Sequence, residues 1–503
     1  MEITWLYALL PLFLLSVVLK FSSKAKRKLP PSPVPALPVL GHLHFLKFPL
    51  HRTIHKLSQQ LGPIFSLRFG NRLMVAVSSP AIVEECFTKN DIVLANRPRF
   101  IIGKYIGYNY TTLVGSNYGE HWRNLRRLTT VEIFSTARLN VFQSIRHDEN
   151  KLLLKQLFGK SCQDFARVEL RSMLSQLTFN VIMRMVAGKR YFGDDEENDE
   201  AKQFREIIDK VLTLAGVSNP GDFFPVFRWI DYKGYAKTLM RVTGKMDAFL
   251  QGLIDEHKRD KSRNTMIDRL LSLQESEPEC YTDVTIKGII MVMLLAGTDT
   301  TVATIEWAMS VLLNHPEKLD KAKAEIDNFI GNNSIVNESD LSKLPYLQNV
   351  ILETFRLFPA VPLLVPHEAL ADCTLGGYDI PRGTIIIVNA WAIHRDPLVW
   401  DDPTSFNPER FEEIGEVGPT KLLPFGMGRR SCPGNGLANR VVGLALASLI
   451  QCFEWQRIDD SLVDLTEGEG LSMPKLTPLE ARCKARDVLH KVLCEPSKKL
   501  TLS

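Results

Sequence analysis

At 503 residues and 56.9 kDa, with 45% hydrophobic and 23% charged residues, the chain has a globular composition, which excludes disordered and fibrous readings. Its formal charge of +4 is set by Lys20, Lys24, Lys26, Arg27 and Lys28 against Glu2; beyond position 28, 56 basic residues face 56 acidic ones, so no basic field for nucleic acid remains. Eight scattered cysteines without a C-x-x-C pair suggest reduced thiols facing a cytosolic compartment.

From Ile3 to Leu19 the chain is apolar apart from Thr4, Trp5, Tyr7, Pro11 and Ser16, and with Phe21 it approaches the ~20 residues that span a bilayer. Positive charges follow the apolar run instead of preceding it, and no small-residue cleavage site closes it, so a retained anchor is expected over 1–23 rather than a cleaved signal. The basic cluster from Lys24 to Lys28 places the rest of the chain in the cytosol and Met1 in the lumen. Five prolines within Leu29–Pro38 fix φ and remove donors, so 24–41 reads as a stiff basic and proline-rich hinge.

No repeat or second linker interrupts the remainder, and 42–503 is expected to form one domain. Runs at Ile64–Phe69 and Leu73–Ser78, joined by Gly70-Asn71-Arg72, predict a hairpin, and Thr384–Asn389 a further strand. Helices are predicted at Ala322–Phe329, Tyr346–Leu357 and Leu437–Phe453 from apolar residues at three- and four-residue intervals. The longest begins at Thr282-Asp283 and runs to Leu313, before Asn314 and Pro316. Lys287, Asp299 and Glu306 would be costly in lipid, so this helix is expected to be buried in the domain rather than to form a second span. The class is mostly α with a small β region.

Within that helix, Ala296-Gly-Thr-Asp-Thr-Thr301 puts a helix-weakening glycine, an acid and hydroxyls where apolar packing is otherwise expected. One reading is a ladder opened beside a ligand, with Thr300 bonding a bound species and Asp299 feeding protons. The plainer alternative is a threonine bonding back to the preceding turn beside a solvent-facing aspartate. Further on, Pro424-Phe-Gly-Met-Gly-Arg-Arg-Ser-Cys-Pro-Gly434 is a loop leading into an apolar helix. Helix amides and the nearby Arg429 and Arg430 would favour Cys432 as a thiolate, Pro433 suits a first helical position, and glycines 426, 428 and 434 let backbone approach a flat cofactor. A lone cysteine does not make a tetrahedral zinc site, whereas one axial thiolate on a haem iron suits it.

Phe425-x-x-Gly428-x-Arg430-x-Cys432-x-Gly434 resembles the haem-binding signature of the cytochrome P450 haem-thiolate monooxygenases. Ala296-Gly-x-Asp-Thr300, Glu353-x-x-Arg356 and Phe406-x-Pro-Glu-Arg410-Phe411 match three further family motifs. The resemblance implies the cytochrome P450 fold with an N-terminal transmembrane helix, and haem b with Cys432 as axial ligand. It implies proton delivery by Asp299 and Thr300, and a buried network of Glu353, Arg356 and Arg410 locking the ligand loop. Trp122-x-x-x-Arg126 and His367 match propionate contacts, and Phe425, Arg430 and Gly434 belong to the haem-binding loop. His394 looks structural rather than a second haem ligand. Only 71 residues follow Cys432 and no G-x-G-x-x-G loop is found, so NADPH–cytochrome P450 reductase is implied as a separate electron donor at the endoplasmic reticulum membrane.

Phe87–Phe100, Lys104–Tyr110 and Asn389–Pro397 resemble the plant group containing isoflavone B-ring hydroxylases. The implied reaction is hydroxylation of a flavonoid-like or other phenolic, with terpenoid or fatty-acid hydroxylation as the alternative. A haem-dependent rearrangement enzyme, a further alternative, usually lacks the acid and alcohol kept here as Asp299 and Thr300. The implied pocket comprises Ile101–Val114, Leu295–Thr300, Val361–Val365 and Leu471–Met473.

Overall fold

The two apolar runs on either side of Gly70-Asn71 fold back on each other: β1 (Ile64–Phe69) pairs antiparallel with β2 (Arg72–Val77), Phe69 opposite Arg72. A computed structural model describes residues 27–193, 199–216, 219–224, 226–260, 263–331, 333–414, 417–470 and 472–494. The expected anchor over 1–23 lies outside them. Strand β4 (Ile385–Val388), all β-branched and buried at every position, lies parallel to β2, and the two-residue β3 (His367–Glu368) pairs antiparallel with β4. The order β1-β2-β4-β3 thus brings His367, far along the chain, into the sheet of the N-terminal hairpin.

The proline stretch does not stand free. Ser66 donates from its backbone N–H to the Pro31 carbonyl at 2.7 Å and from Oγ to the Pro30 carbonyl at 2.9 Å, while Lys28 and Asp379 exchange hydrogen bonds at 2.8 Å. Residues that cannot donate to a ladder still accept from one, so the prolines lie against the edge of β1.

The helices carry the bulk of the body. Those that build the site are α1 (Pro80–Phe87), α2 (Glu120–Leu128), α3 (Leu170–Ala187), α4 (Asp283–Gly297), α5 (Asp299–Asn314), α6 (Pro345–Leu357) and α7 (Asn435–Cys452). Thr282 caps α4 by accepting from the Thr285 N–H at 3.2 Å, and α5 stops where Pro316 cannot continue it. Every residue of α5 from Thr301 to Leu313 is buried, packed against α3, α6 and α7. The stretch 283–314 is therefore long and apolar enough for a membrane but is enclosed by protein. It is not one unbroken helix: at Thr298 (φ −91°, ψ −70°) the regular geometry fails and α4 gives way to α5.

Candidate active site

One cavity runs between α4–α5 and the Pro424–Gly434 loop, with about 1820 Å³ of free space including its mouths. Cys432, an exposed residue, lies on its wall. The loop is closed by the Cys432 N–H donating to the Phe425 carbonyl at 2.9 Å. Gly428 is left-handed (φ +71°), and a Cβ there would lie 2.6 Å from Asp91 Oδ1, so no other residue fits without displacing Asp91. Gly434 has φ −86°, and a Cβ there would sit 3.8 Å from the sulfur.

Three details differ from the sequence reading. Helix α7 starts at Asn435, so Pro433 precedes the helix instead of opening it. Arg429 turns outward to Asp91 at 3.1 Å, and the cation beside the sulfur is Arg126. Burial pushes the Cys432 thiol up; the amides of Gly434 and Asn435 and the charge of Arg126 pull it down but do not outweigh burial.

The cavity wall collects positive charge. Arg97, Arg126 and Arg430 line it with His367, and among the described lining residues there is no aspartate or glutamate. Burial and the charge of Arg430 push the Arg97 guanidinium down to about 9, and burial with Arg126 lowers Arg430 to about 10. Their hydrogen bonds go to carbonyls: Arg97 Nη1 to Val365 and Pro366 (2.7 Å each), Arg126 Nη1 to Ser431 (2.6 Å), Arg430 to Ala95, Leu113 and Ser116 (2.7, 3.1 and 2.5 Å). Arg97 Nε has no protein partner. His367 Nδ1 is bonded to the Leu94 carbonyl at 2.7 Å, and burial holds the ring well below its ordinary value, hence neutral. Trp122 lines the same wall, but its indole N–H is committed to the Leu113 carbonyl at 3.1 Å, and its ring lies 4.4 Å beneath the Arg430 guanidinium. One buried and two half-buried cations without an acidic partner on the wall, beside a lone thiol and an apolar surface, suit a flat ligand that carries carboxylates and an iron, as haem does.

Behind the loop, Glu353 accepts from Arg356 Nε and Nη2 at 2.7 and 2.8 Å, from Arg410 Nε at 3.1 Å and from the Asn407 N–H at 2.9 Å. All three side chains are buried, and Arg356 also binds the His394, Pro403 and Ser405 carbonyls. His394 bridges the network to the ligand loop: Nδ1–H donates to the Arg356 carbonyl at 3.1 Å and Nε2 accepts from the Leu423 N–H at 2.8 Å. Burial, then Arg395 and Arg356, lower its ring to about 3, which keeps Nε2 free to accept.

On the opposite wall stand Ala296, Gly297, Thr300, Thr301 and Thr304. The Thr300 hydroxyl donates to the Ala296 carbonyl at 2.7 Å, the back-bonded arrangement. Asp299 is not on the wall; its carboxylate accepts from the Ser472 hydroxyl. Of the pocket segments read from sequence, Leu113, Val114, Ala296, Gly297, Thr300, Val361, Leu364 and Val365 line the cavity. Ile101–Thr112 and the buried Met473 do not, and Leu471 lies outside the described residues. Sequence reasoning missed Arg97, Asp91, and Thr178, Val181 and Ile182 of α3; an arginine preceding a proline carries no local sign of the cavity it faces.

A family model described as Cytochrome P450 matches residues 30–479. The chain belongs to the cytochrome P450 family. It is 62% identical to cytochrome P450 81Q32 of Catharanthus roseus, covering 98% of this chain and 99% of that one. It is 54% identical to a (+)-piperitol/(+)-sesamin synthase of Sesamum radiatum (99% and 100% covered) and 53% identical to an isoflavone 3'-hydroxylase of Medicago truncatula (95% and 97%). Among solved structures, a zebra fish cytochrome P450 with progesterone superposes with a TM-score of 0.77 at 29% identity, covering 88% of this chain and 100% of that one. The P450 fold, mostly helical with small sheets, is thus that of this chain, which is a P450 monooxygenase whose cofactor is haem held by an axial cysteine thiolate.

Proposed function

We propose that this P450 hydroxylates a flavonoid-like or related plant phenolic, with Cys432 as the thiolate ligand and electrons supplied by NADPH–cytochrome P450 reductase. The carrying observation is that Cys432, three uncompensated arginines and an apolar wall broken by a few hydroxyls share one cavity. Bound haem supplies the iron at which dioxygen is reduced and split. Arg97, Arg126 and Arg430 would hold the carboxylates of that cofactor, with the neutral His367 ring on the same wall; Trp122 and Phe425 would pack beside it, and Gly434 lies next to the sulfur at the end of the loop. Glu353, Arg356 and Arg410 hold the loop that presents the sulfur.

Thr300 releases its hydroxyl from the Ala296 carbonyl and turns it into the cavity, and Asp299 returns the proton that Thr300 passes on. Leu113, Val114, Val361, Leu364 and Val365 exclude water from an apolar substrate, which Thr301 and Thr304 leave room to orient through a phenol. That the similar proteins include an isoflavone 3'-hydroxylase and a (+)-piperitol/(+)-sesamin synthase supports a phenolic-type substrate. We further propose a single-pass anchor over 1–23 in the endoplasmic reticulum membrane, the hinge at 24–41, and the catalytic domain from 42 in the cytosol.

The test is turnover by microsomes containing the full chain, reductase and NADPH, offered isoflavones, lignans, terpenoids and fatty acids. Hydroxylated phenolic products are expected; turnover confined to terpenoids or fatty acids would contradict the substrate while leaving the monooxygenase intact.

A further inference from the structure

Asp299 sits at the break in the central helix, one residue from Thr300 on the cavity wall, yet its own carboxylate is directed elsewhere. It is half-buried and accepts a hydrogen bond from Ser472, 173 residues further along the chain. Ser472 is only 7% exposed, and its backbone is fixed independently of that bond. The neighbouring Met473 N–H donates to the Ala360 carbonyl at 2.8 Å, and the Met473 carbonyl accepts from Trp307 Nε1 at 2.8 Å. Trp307 is a fully buried residue of α5, so the same helix that carries Asp299 anchors the segment that carries Ser472. On the far side, the Gly468 N–H donates to Pro474 and the Leu476 N–H to Thr466, both at 2.8 Å, closing the segment on itself.

A hydroxyl held this firmly against an ionisable carboxylate makes a charge-assisted bond that selects one orientation among the rotamers open to an aspartate at a helix break. We infer that Ser472 is the positioning residue of the proton-delivery step, holding the Asp299 carboxylate on the outer side of the cavity wall, where it takes up a proton from outside and hands it inward at Thr300. This rests on the reading of Asp299 and Thr300 given under Proposed function. Without Ser472 the carboxylate samples other rotamers and the proton arrives late. Threonine at 472 keeps a hydroxyl on the same β-carbon and retains the bond.

The experiment compares Ser472→Ala, Ser472→Thr, Asp299→Asn and the Ser472→Ala/Asp299→Asn pair in full-length, haem-loaded protein with reductase. The readouts are NADPH oxidation in H₂O and D₂O and the thermal midpoint of the haem-loaded protein, with carbon monoxide binding confirming that the cofactor is in place. Ser472→Ala is expected to slow NADPH oxidation roughly tenfold and to enlarge the solvent isotope effect. Ser472→Thr is expected to restore both. In the Asp299→Asn background, whose amide oxygen can still accept from Ser472 but cannot carry the proton, Ser472→Ala is expected to change neither the rate nor the isotope effect further. Equal losses in both backgrounds, an unchanged isotope effect, or failure of threonine to restore it would show a merely structural serine and overturn the inference. If Asp299→Asn itself leaves rate and isotope effect at the wild-type level, the proton-delivery reading fails and the inference with it. If Asp299→Asn slows the enzyme and Ser472→Ala does not, only the inference falls.

Discussion

Thr300 illustrates how one side chain can satisfy two readings. Its hydroxyl donates to the Ala296 carbonyl, as any mid-helix threonine can, yet it does so on the wall of the cavity at the one place where the central helix loses its regular geometry. A back-bonded threonine is cheap to remove, so Thr300→Ala should leave haem content and substrate binding intact while product per NADPH falls and hydrogen peroxide per NADPH rises. Unchanged product per NADPH, measured by stoichiometry of NADPH, peroxide and product, would remove Thr300 from proton delivery. The motif was legible in the sequence because a glycine, an acid and hydroxyls interrupt an apolar run. The partner of Asp299 was not, since Ser472 reaches it through tertiary folding and has no periodic relation to it. The same holds for Asp91, which takes Arg429 away from the sulfur and so undoes the electrostatic argument that neighbouring arginines invite.

At the scale of elements, the Glu353–Arg356 pair would be a minor helix-face contact if exposed, worth ~0.2 to 0.5 kcal/mol. Buried with Arg410, and with its spare donors on carbonyls, it becomes a joint whose single-partner loss costs roughly 3 to 5 kcal/mol. His394 carries that joint to the ligand loop as a neutral ring. Its folded value of about 3 lies below the ordinary 6.5, so its contribution is present above pH 6.5 and is lost as pH falls from 6.5 toward 3. At pH 5 the loss amounts to roughly 2 kcal/mol. His367, also held low by burial, acts in the same direction. The thermal midpoint of the haem-loaded protein should therefore fall between pH 6.5 and 5, and His394→Asn should flatten that dependence; an equally steep fall in the variant would contradict the assignment. Helix identities were legible from apolar spacing, and the hairpin from its turn. The break at Thr298 falls inside the Ala296–Thr301 patch, where an opened ladder was one of two readings; the start of α7 at Asn435 was not legible, because ends depend on hydrogen bonds that spacing alone does not encode.

For the whole molecule, orientation in the membrane is the property that the charge pattern addresses most directly. Asn109-Tyr-Thr and Asn337-Glu-Ser are sequons whose asparagines are exposed, and Asn332-Asn-Ser begins outside the described residues. With Lys24–Lys28 on the cytosolic side, none should be glycosylated, and endoglycosidase treatment of microsomal protein should leave its mass unchanged; a mass shift would place the catalytic domain in the lumen. The architecture explains why so much of the site could be read in advance: the ligand loop and the central helix are each continuous in sequence, and the fold brings the two together. What only the fold supplies is the cationic wall, assembled from Arg97, Arg126 and Arg430 on three separate segments, with the neutral His367 brought beside it from a fourth. The central claim is that this cavity holds haem through the Cys432 sulfur. It is tested most directly by the carbon monoxide difference spectrum of the reduced full-length protein beside Cys432→Ser. The wild type should show the red-shifted Soret band of a thiolate-ligated haem and the variant should lose it; the same band in Cys432→Ser would contradict the account.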